Sequence, residues 1–337
     1  MRVVAAVATA ALHLSTAASG QQAAAPPRPT ASSGKAPLDT VTVAAPRDRK
    51  EVEREVNEFV FAVVVRSLHD SLSRWNTPIC PLVAGLPREQ GEFVLARLSQ
   101  VATEAKAPLA GERCTANFFI VVTPQPELLL KKWQARDRRM FDTRNGMGHV
   151  RRFLDTPRAV RVWYNVGFTA ADGQPITSDS LASALVGTGL GLGLLMANVP
   201  TVQVSIGTRL RYSAVRSLSS VIVVVDANRM QGLNVGQLAD YIGMVGLAEV
   251  NQDAQVGPVP TILRLFRDNP EPPQALSAWD QAFLASLYGA EQASVLEESR
   301  MKRSMVSTLA PSPGVKPPAH RCSTPRRAAT LWLVGCP

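Results

Sequence analysis

Two patterns in the 337-residue sequence predict an α/β domain, with α+β as the alternative. Short apolar runs of strand length alternate along the chain with longer stretches whose apolar residues recur every three or four positions. Composition agrees with a buried core: 46% hydrophobic and 19% charged excludes wholesale disorder and a coiled-coil rod. The expected architecture is a mixed sheet flanked by helices.

Taken in order, the chain begins with Arg2, an apolar stretch from Val3 to Leu14, and the small residues Ala18, Ser19 and Gly20. That layout is an export signal over residues 1–20, which places the mature protein in the periplasm or outside the cell. Residues 21–47 consist mostly of Ala, Pro, Ser and Thr, and carry too few large side chains to offset the entropy of ordering. They are expected to be a disordered linker. A single folded domain is expected over 48–290 and a flexible basic tail over 291–337.

Within the domain, Val52, Val56, Phe59, Val60, Val63 and Val64 give an amphipathic helix from Glu51 to Leu68. Phe93, Leu95, Leu98 and Val101 give a second from Arg88 to Lys106, behind Pro87. Phe118 to Val122 reads as a buried strand. Pro124 to Phe141 reads as a helix, with Leu128, Leu129, Leu130 and Trp133 on one side. Val160 to Phe168 and Val221 to Val225 are strands, and helices follow at Val235 to Glu249 and Ala278 to Tyr288.

The formal charge of +9 is uneven. Residues 131–161 hold ten bases and three acids, a local +7, and residues 297–337 hold seven and two, a local +5. Setting these and Arg2 aside leaves −4, a mildly acidic body carrying one basic segment and one basic tail. In the segment, Lys131, Lys132, Arg136, Arg138, Arg139, Arg151 and Arg152 are interleaved with Trp133, Phe141, Phe153 and Trp163. Such a mixture suits nucleic acid or an anionic surface. Export argues against nucleic acid, and leaves an anionic envelope surface or a protein partner. The plainer reading is a solvated helix face with its aromatic residues turned into the core.

Cys80 and Cys114 lie in loops beside the early helices and are the expected disulfide of an oxidising compartment; Cys322 and Cys336 either pair in the tail or stay free. The most specific catalytic motifs are missing: there is no HExxH, GxSxG, Walker loop, EF-hand loop or paired CxxC. His69, His149 and His320 are too far apart to build a local zinc motif. No metal and no cofactor is expected. The glycines of residues 187–193 do not match a dinucleotide fingerprint, but the uncharged stretch around them, centred on residues 181–197, has the small-residue spacing of packed membrane helices. Its short length, Pro200 and the basic segment argue against integral membrane insertion, so a membrane anchor here is only an alternative.

In the C-terminal third, the stretches VIVVVD (221–226), QLADYIGMVGLAE (237–249), PTILRLF (260–266) and LSAWDQAFLASLY (276–288) follow one another in a set order. This block resembles the closing part of an exported bacterial family of unknown function, whose general layout is similar to zinc-dependent peptidases. In that family a helix begins His-Glu-Glu-Leu and ends Gly-Leu-Ala, and a later helix carries a His-Asp pair. The resemblance implies a zincin-like C-terminal part. It places Leu238 and Ala239 at the His-Glu positions and Trp279 at the later His, and retains only Asp280. Leucine cannot ligate a metal and alanine cannot act as a base.

The expected function is therefore a non-catalytic binding or envelope-associated module on a degenerate zincin-like scaffold. The alternative is a hydrolase whose site is assembled from several loops, with Asp226, Asp240, Asp280 and His149 as candidates. Asp226 at a strand end and Asp280 in a first helical turn are better suited to satisfying backbone donors. A pocket gathering all four would favour the hydrolase.

Overall fold

One long strand organises the molecule. In a computed structural model, which describes residues 48–65, 71–136, 141, 147–170, 210–212, 214–267 and 271–310, that strand runs from Ala214 to Asp226 and pairs on both sides. In chain order the elements are α1 (Arg49–Val63), β1 (Pro81–Ala84), α2 (Arg88–Ala105), β2 (Phe118–Thr123), α3 (Pro126–Arg136), α4 (Met147–Asp155), β3 (Val160–Ala170), β4 (Ala214–Asp226), α5 (Val235–Leu247), α6 (Ala278–Gly289) and α7 (Glu297–Leu309). The sheet order is β1-β2-β4-β3, with the first three strands parallel and β3 antiparallel at the edge. This is the mixed α/β sheet that the alternating pattern predicts.

The second half of β4, Val221 to Val225, is an unbroken valine and isoleucine run because both of its faces are buried there. Val221, Val223 and Val225 belong to a large core with Phe118 and Ile120, while Ile222 and Val224 belong to a smaller one with Trp163. Residues of α1, α2, α5, α6 and α7 fill the large core; Leu130 of α3 and Val150, Phe153 and Leu154 of α4 fill the small one. Phe141, Phe153 and Trp163 form a ring-on-ring triangle there, with centroids 5.4–5.5 Å apart.

Two glycines permit close approaches. A Cβ at Gly246 would lie 2.0 Å from Cζ of Phe118, so α5 lies against β2 only because position 246 lacks a side chain. Gly85 has φ +85°, and a Cβ there would meet the Val122 carbonyl oxygen at 1.9 Å. Cys80 and Cys114 are bridged, with Cα atoms 5.9 Å apart, tying the start of β1 to the loop that enters β2.

The structure corrects several expected boundaries. α1 stops at Val63, because Val64 turns extended and bridges Val250. The expected helix from Pro124 to Phe141 ends at Arg136 within the described residues, and a separate helix, α4, follows. The folded body does not end at 290, nor does a flexible tail begin at 291: α7 buries Met301, Met305 and Val306 and packs on α1 and α6. The expected signal, the linker and the 181–197 stretch lie outside the described residues, as do residues 311–337 with Cys322 and Cys336. Among the described residues, no helix is long and apolar enough to cross a membrane.

Candidate functional site

The four candidate catalytic residues do not meet. Asp226 ends β4, accepts the Asn228 N–H at 3.0 Å and pairs with Arg229 at 3.4 Å. Asp240 is buried on α5 against Arg97. Asp280 is fully buried on α6, where it accepts from Thr261 Oγ1 (2.5 Å), the Ile262 N–H (2.9 Å) and both the N–H and Oγ of Ser277 (2.9 Å). Burial pushes its carboxyl up, with the hydrogen bonds of Thr261, Ser277 and Ile262 acting in the opposite direction. Each of these carboxylates is held by structural partners. His149 is exposed on α4, across the sheet from α5 and α6.

The positions matched to the peptidase-like family are apolar and enclosed. Leu238, Ala239 and Trp279 are 5%, 0% and 4% exposed, and Trp279 packs edge-on to Phe59 with centroids 5.8 Å apart. Gln237, beside them, spends its side chain on the capping box with Asn234 and on the Pro273 carbonyl. These residues do not fit a zinc ion. Among the described residues, no three His, Cys, Asp or Glu side chains are grouped to hold a metal.

His149 instead lines a cavity of about 380 Å³ at the outer edge of β3. α4 and the turn that follows contribute His149, Arg152, Phe153 and Thr156, spaced i, i+3, i+4 and i+7 and so on one helical face. β3 contributes Arg161, Val162, Trp163 and Tyr164, and the segment after α5 contributes Glu249 to Asp253.

The inner wall is fixed by a dense set of bonds. Gln252 donates its amide to the Val162 carbonyl at 2.7 Å and accepts the Val162 N–H at 3.1 Å, taking the place of a neighbouring strand at the sheet edge. Arg158 donates to the Gln252 carbonyl (3.2 Å) and to Asp253 (2.5 Å). Tyr164 donates its hydroxyl to the Val245 carbonyl at 2.7 Å and accepts the Val250 N–H at 3.3 Å. Glu249 is paired with Arg216, the closer oxygen at 2.9 Å, and burial pushes its carboxyl up while Arg216 pulls it down. Arg161 is 2% exposed, donates to the Leu154 carbonyl and to Glu127, and keeps its Nε buried without a partner. His149 and Arg152, by contrast, are exposed and make no ion pair with a described residue.

On the face of the sheet that α3 and α4 cover, Lys131, Lys132, Arg136, Arg151 and Arg152 are all exposed; Arg138 and Arg139 lie outside the described residues. Phe141, Phe153 and Trp163 face the small core, so they are not presented for base stacking. The sequence alone does not mark this cavity, because its walls come from three separate parts of the chain. Comparison with protein-family models, with curated proteins and with solved structures finds no match.

Proposed function

We propose that the chain is an exported, non-catalytic binding module that meets an anionic envelope surface through the outer face of α3 and α4, on a zincin-like scaffold whose catalytic residues have been replaced. The observation that carries this reading is the set of five exposed bases, Lys131, Lys132, Arg136, Arg151 and Arg152, which have no acidic partner among the described residues. Beneath them the buried Phe141–Phe153–Trp163 cluster packs α4 on the sheet. Unpaired bases on one face contribute roughly 1 kcal/mol each near an anionic membrane, and salt weakens the effect. The burial of Leu238, Ala239 and Trp279 supports the non-catalytic part.

Co-sedimentation with phosphatidylglycerol vesicles tests the reading. Binding is expected at low salt, and it should fall both at high salt and in the Lys131→Gln/Lys132→Gln variant. Absence of binding, or binding indifferent to both changes, overturns it. Stoichiometric zinc in the purified protein would overturn the non-catalytic part.

A further inference from the structure

The cavity at the β3 edge has the size of a small-molecule site. Its charges are distributed asymmetrically. Arg158 and Arg161 are met by Asp253 and Glu127, and Glu249 is met by Arg216, so the inner wall is internally balanced. Among the described residues, His149 and Arg152 have no acidic partner; they lie one helical turn apart on α4, with Cβ atoms about 5–6 Å apart by helical geometry. Arg161, nearly wholly buried in the wall, has a further donor at Nε with no partner among the described residues. The same cavity is also lined by the apolar Val64, Val65, Phe153 and Val162.

We propose that this cavity binds a polyol phosphate, its phosphoryl group held at the opening by Arg152 and His149. A phosphoryl group carries up to two charges and three acceptor oxygens, which matches two adjacent donors without acidic partners. On the inner wall the Glu249 carboxylate, whose charge Arg216 already meets, accepts hydroxyl hydrogens, so the hydroxylated body points inward with its carbon chain against Val162 and Phe153. Glycerol phosphate has this chemistry whether free or as the headgroup of an anionic lipid. The inference deepens the envelope-surface reading, because such a surface displays that group.

The test titrates the full chain with free glycerol 1-phosphate by calorimetry and, in parallel, with phosphatidylglycerol vesicles. Arg152→Gln and His149→Ala are compared with Lys50→Gln, an exposed base on α1. Saturable binding of the free ligand, weakened about tenfold by Arg152→Gln and unchanged by Lys50→Gln, supports the site. Binding to vesicles alone, weakened by His149→Ala, also supports it and identifies the lipid headgroup as the source. If the free ligand does not bind and vesicle binding is indifferent to His149→Ala, the cavity inference is overturned while the surface reading stands. Free-ligand binding without vesicle binding overturns the surface reading alone. If neither ligand is bound, both fall.

Discussion

Arg97 on α2 grips Asp240 on α5 at two points, Nε to Oδ1 at 2.5 Å and Nη2 to Oδ2 at 3.2 Å. Oδ2 also accepts the Leu276 N–H at 2.8 Å, so one buried carboxylate joins α2, α5 and the entry to α6. Removing the guanidinium would strand that charge. Arg97→Met is expected to cost about 2 to 3 kcal/mol in urea unfolding, below the full penalty for a wholly buried pair because the Arg97 side chain is 23% exposed. In the Arg97→Met/Asp240→Asn double variant part of that loss should return, and strictly additive losses would show that the pair does not couple.

Stability should depend on pH through Glu297. Its side chain is 1% exposed at the start of α7; burial lifts its pKa to about 8, while the Leu72 N–H bond and Arg74 pull the other way. The unfolded carboxyl titrates near 4.3, as an ordinary glutamate does (about 4.3). Between the two values the folded chain keeps a proton that the unfolded chain has released, so stability falls as pH rises through that window, by at most about 1.4 kcal/mol per pH unit, and levels off above it. Glu249 and Asp280 are also pushed up by burial and add the same sign. Urea midpoints measured from about pH 5 to about pH 8 should therefore fall less in Glu297→Gln than in the parent; identical slopes would refute the assignment.

Reduction of Cys80–Cys114 should destabilise the domain. The bridge closes a loop of sequence separation 34, for which chain entropy gives about 3 to 4 kcal/mol. Denaturation with and without reductant measures it, and the Cys80→Ala/Cys114→Ala variant should unfold at the reduced protein's midpoint. Equal midpoints in the oxidised and reduced parent would count against the bridge.

Gly246→Ala should cost about 3 kcal/mol or more, since the new methyl would overlap the Phe118 ring and α5 would have to lift from β2. Adding Phe118→Leu should return part of the loss. A thermal melt of the three proteins decides, and an unchanged Gly246→Ala midpoint would show that the contact gives way freely.

How much of this was legible in the sequence depended on what each element does with its polar residues. α1 was readable because Val52, Val56, Phe59, Val60 and Val63 all enter one core. The first half of β4 was not, because Arg216 and Ser217 are buried through an ion pair with Glu249 and a bond from Gln292 to the Arg216 carbonyl, and a hydropathy pattern scores such residues as exposed. α7 hid in the same way: its buried Met301, Met305 and Val306 are interrupted by Arg300, Lys302 and Arg303. β1 has four residues, too few for any period to show. Asp280 in a first helical turn was readable as a residue that satisfies backbone donors, and it does so as part of a capping box with Ser277. The cavity brings Thr156 and Arg158 against Asn251 to Asp253, and such long-range assembly leaves no local pattern.

The segment from Ser71 to Trp75 is held mainly by residues near the far end of the chain. The Leu72 N–H reaches Glu297 across 225 positions, its carbonyl reaches Gln292 across 220, and Arg74 caps the carbonyls of Leu287 and Ala290. During synthesis from the N-terminus, this early strip meets partners at residues 216–218 and 246–248 before those near 287–297, and the last loop it must close is among the longest the chain can form. The strip is therefore completed only when the last helices have been made. Its final bonds form late, and a nascent chain halted before α7 should stay open to proteases at Ser71 to Trp75.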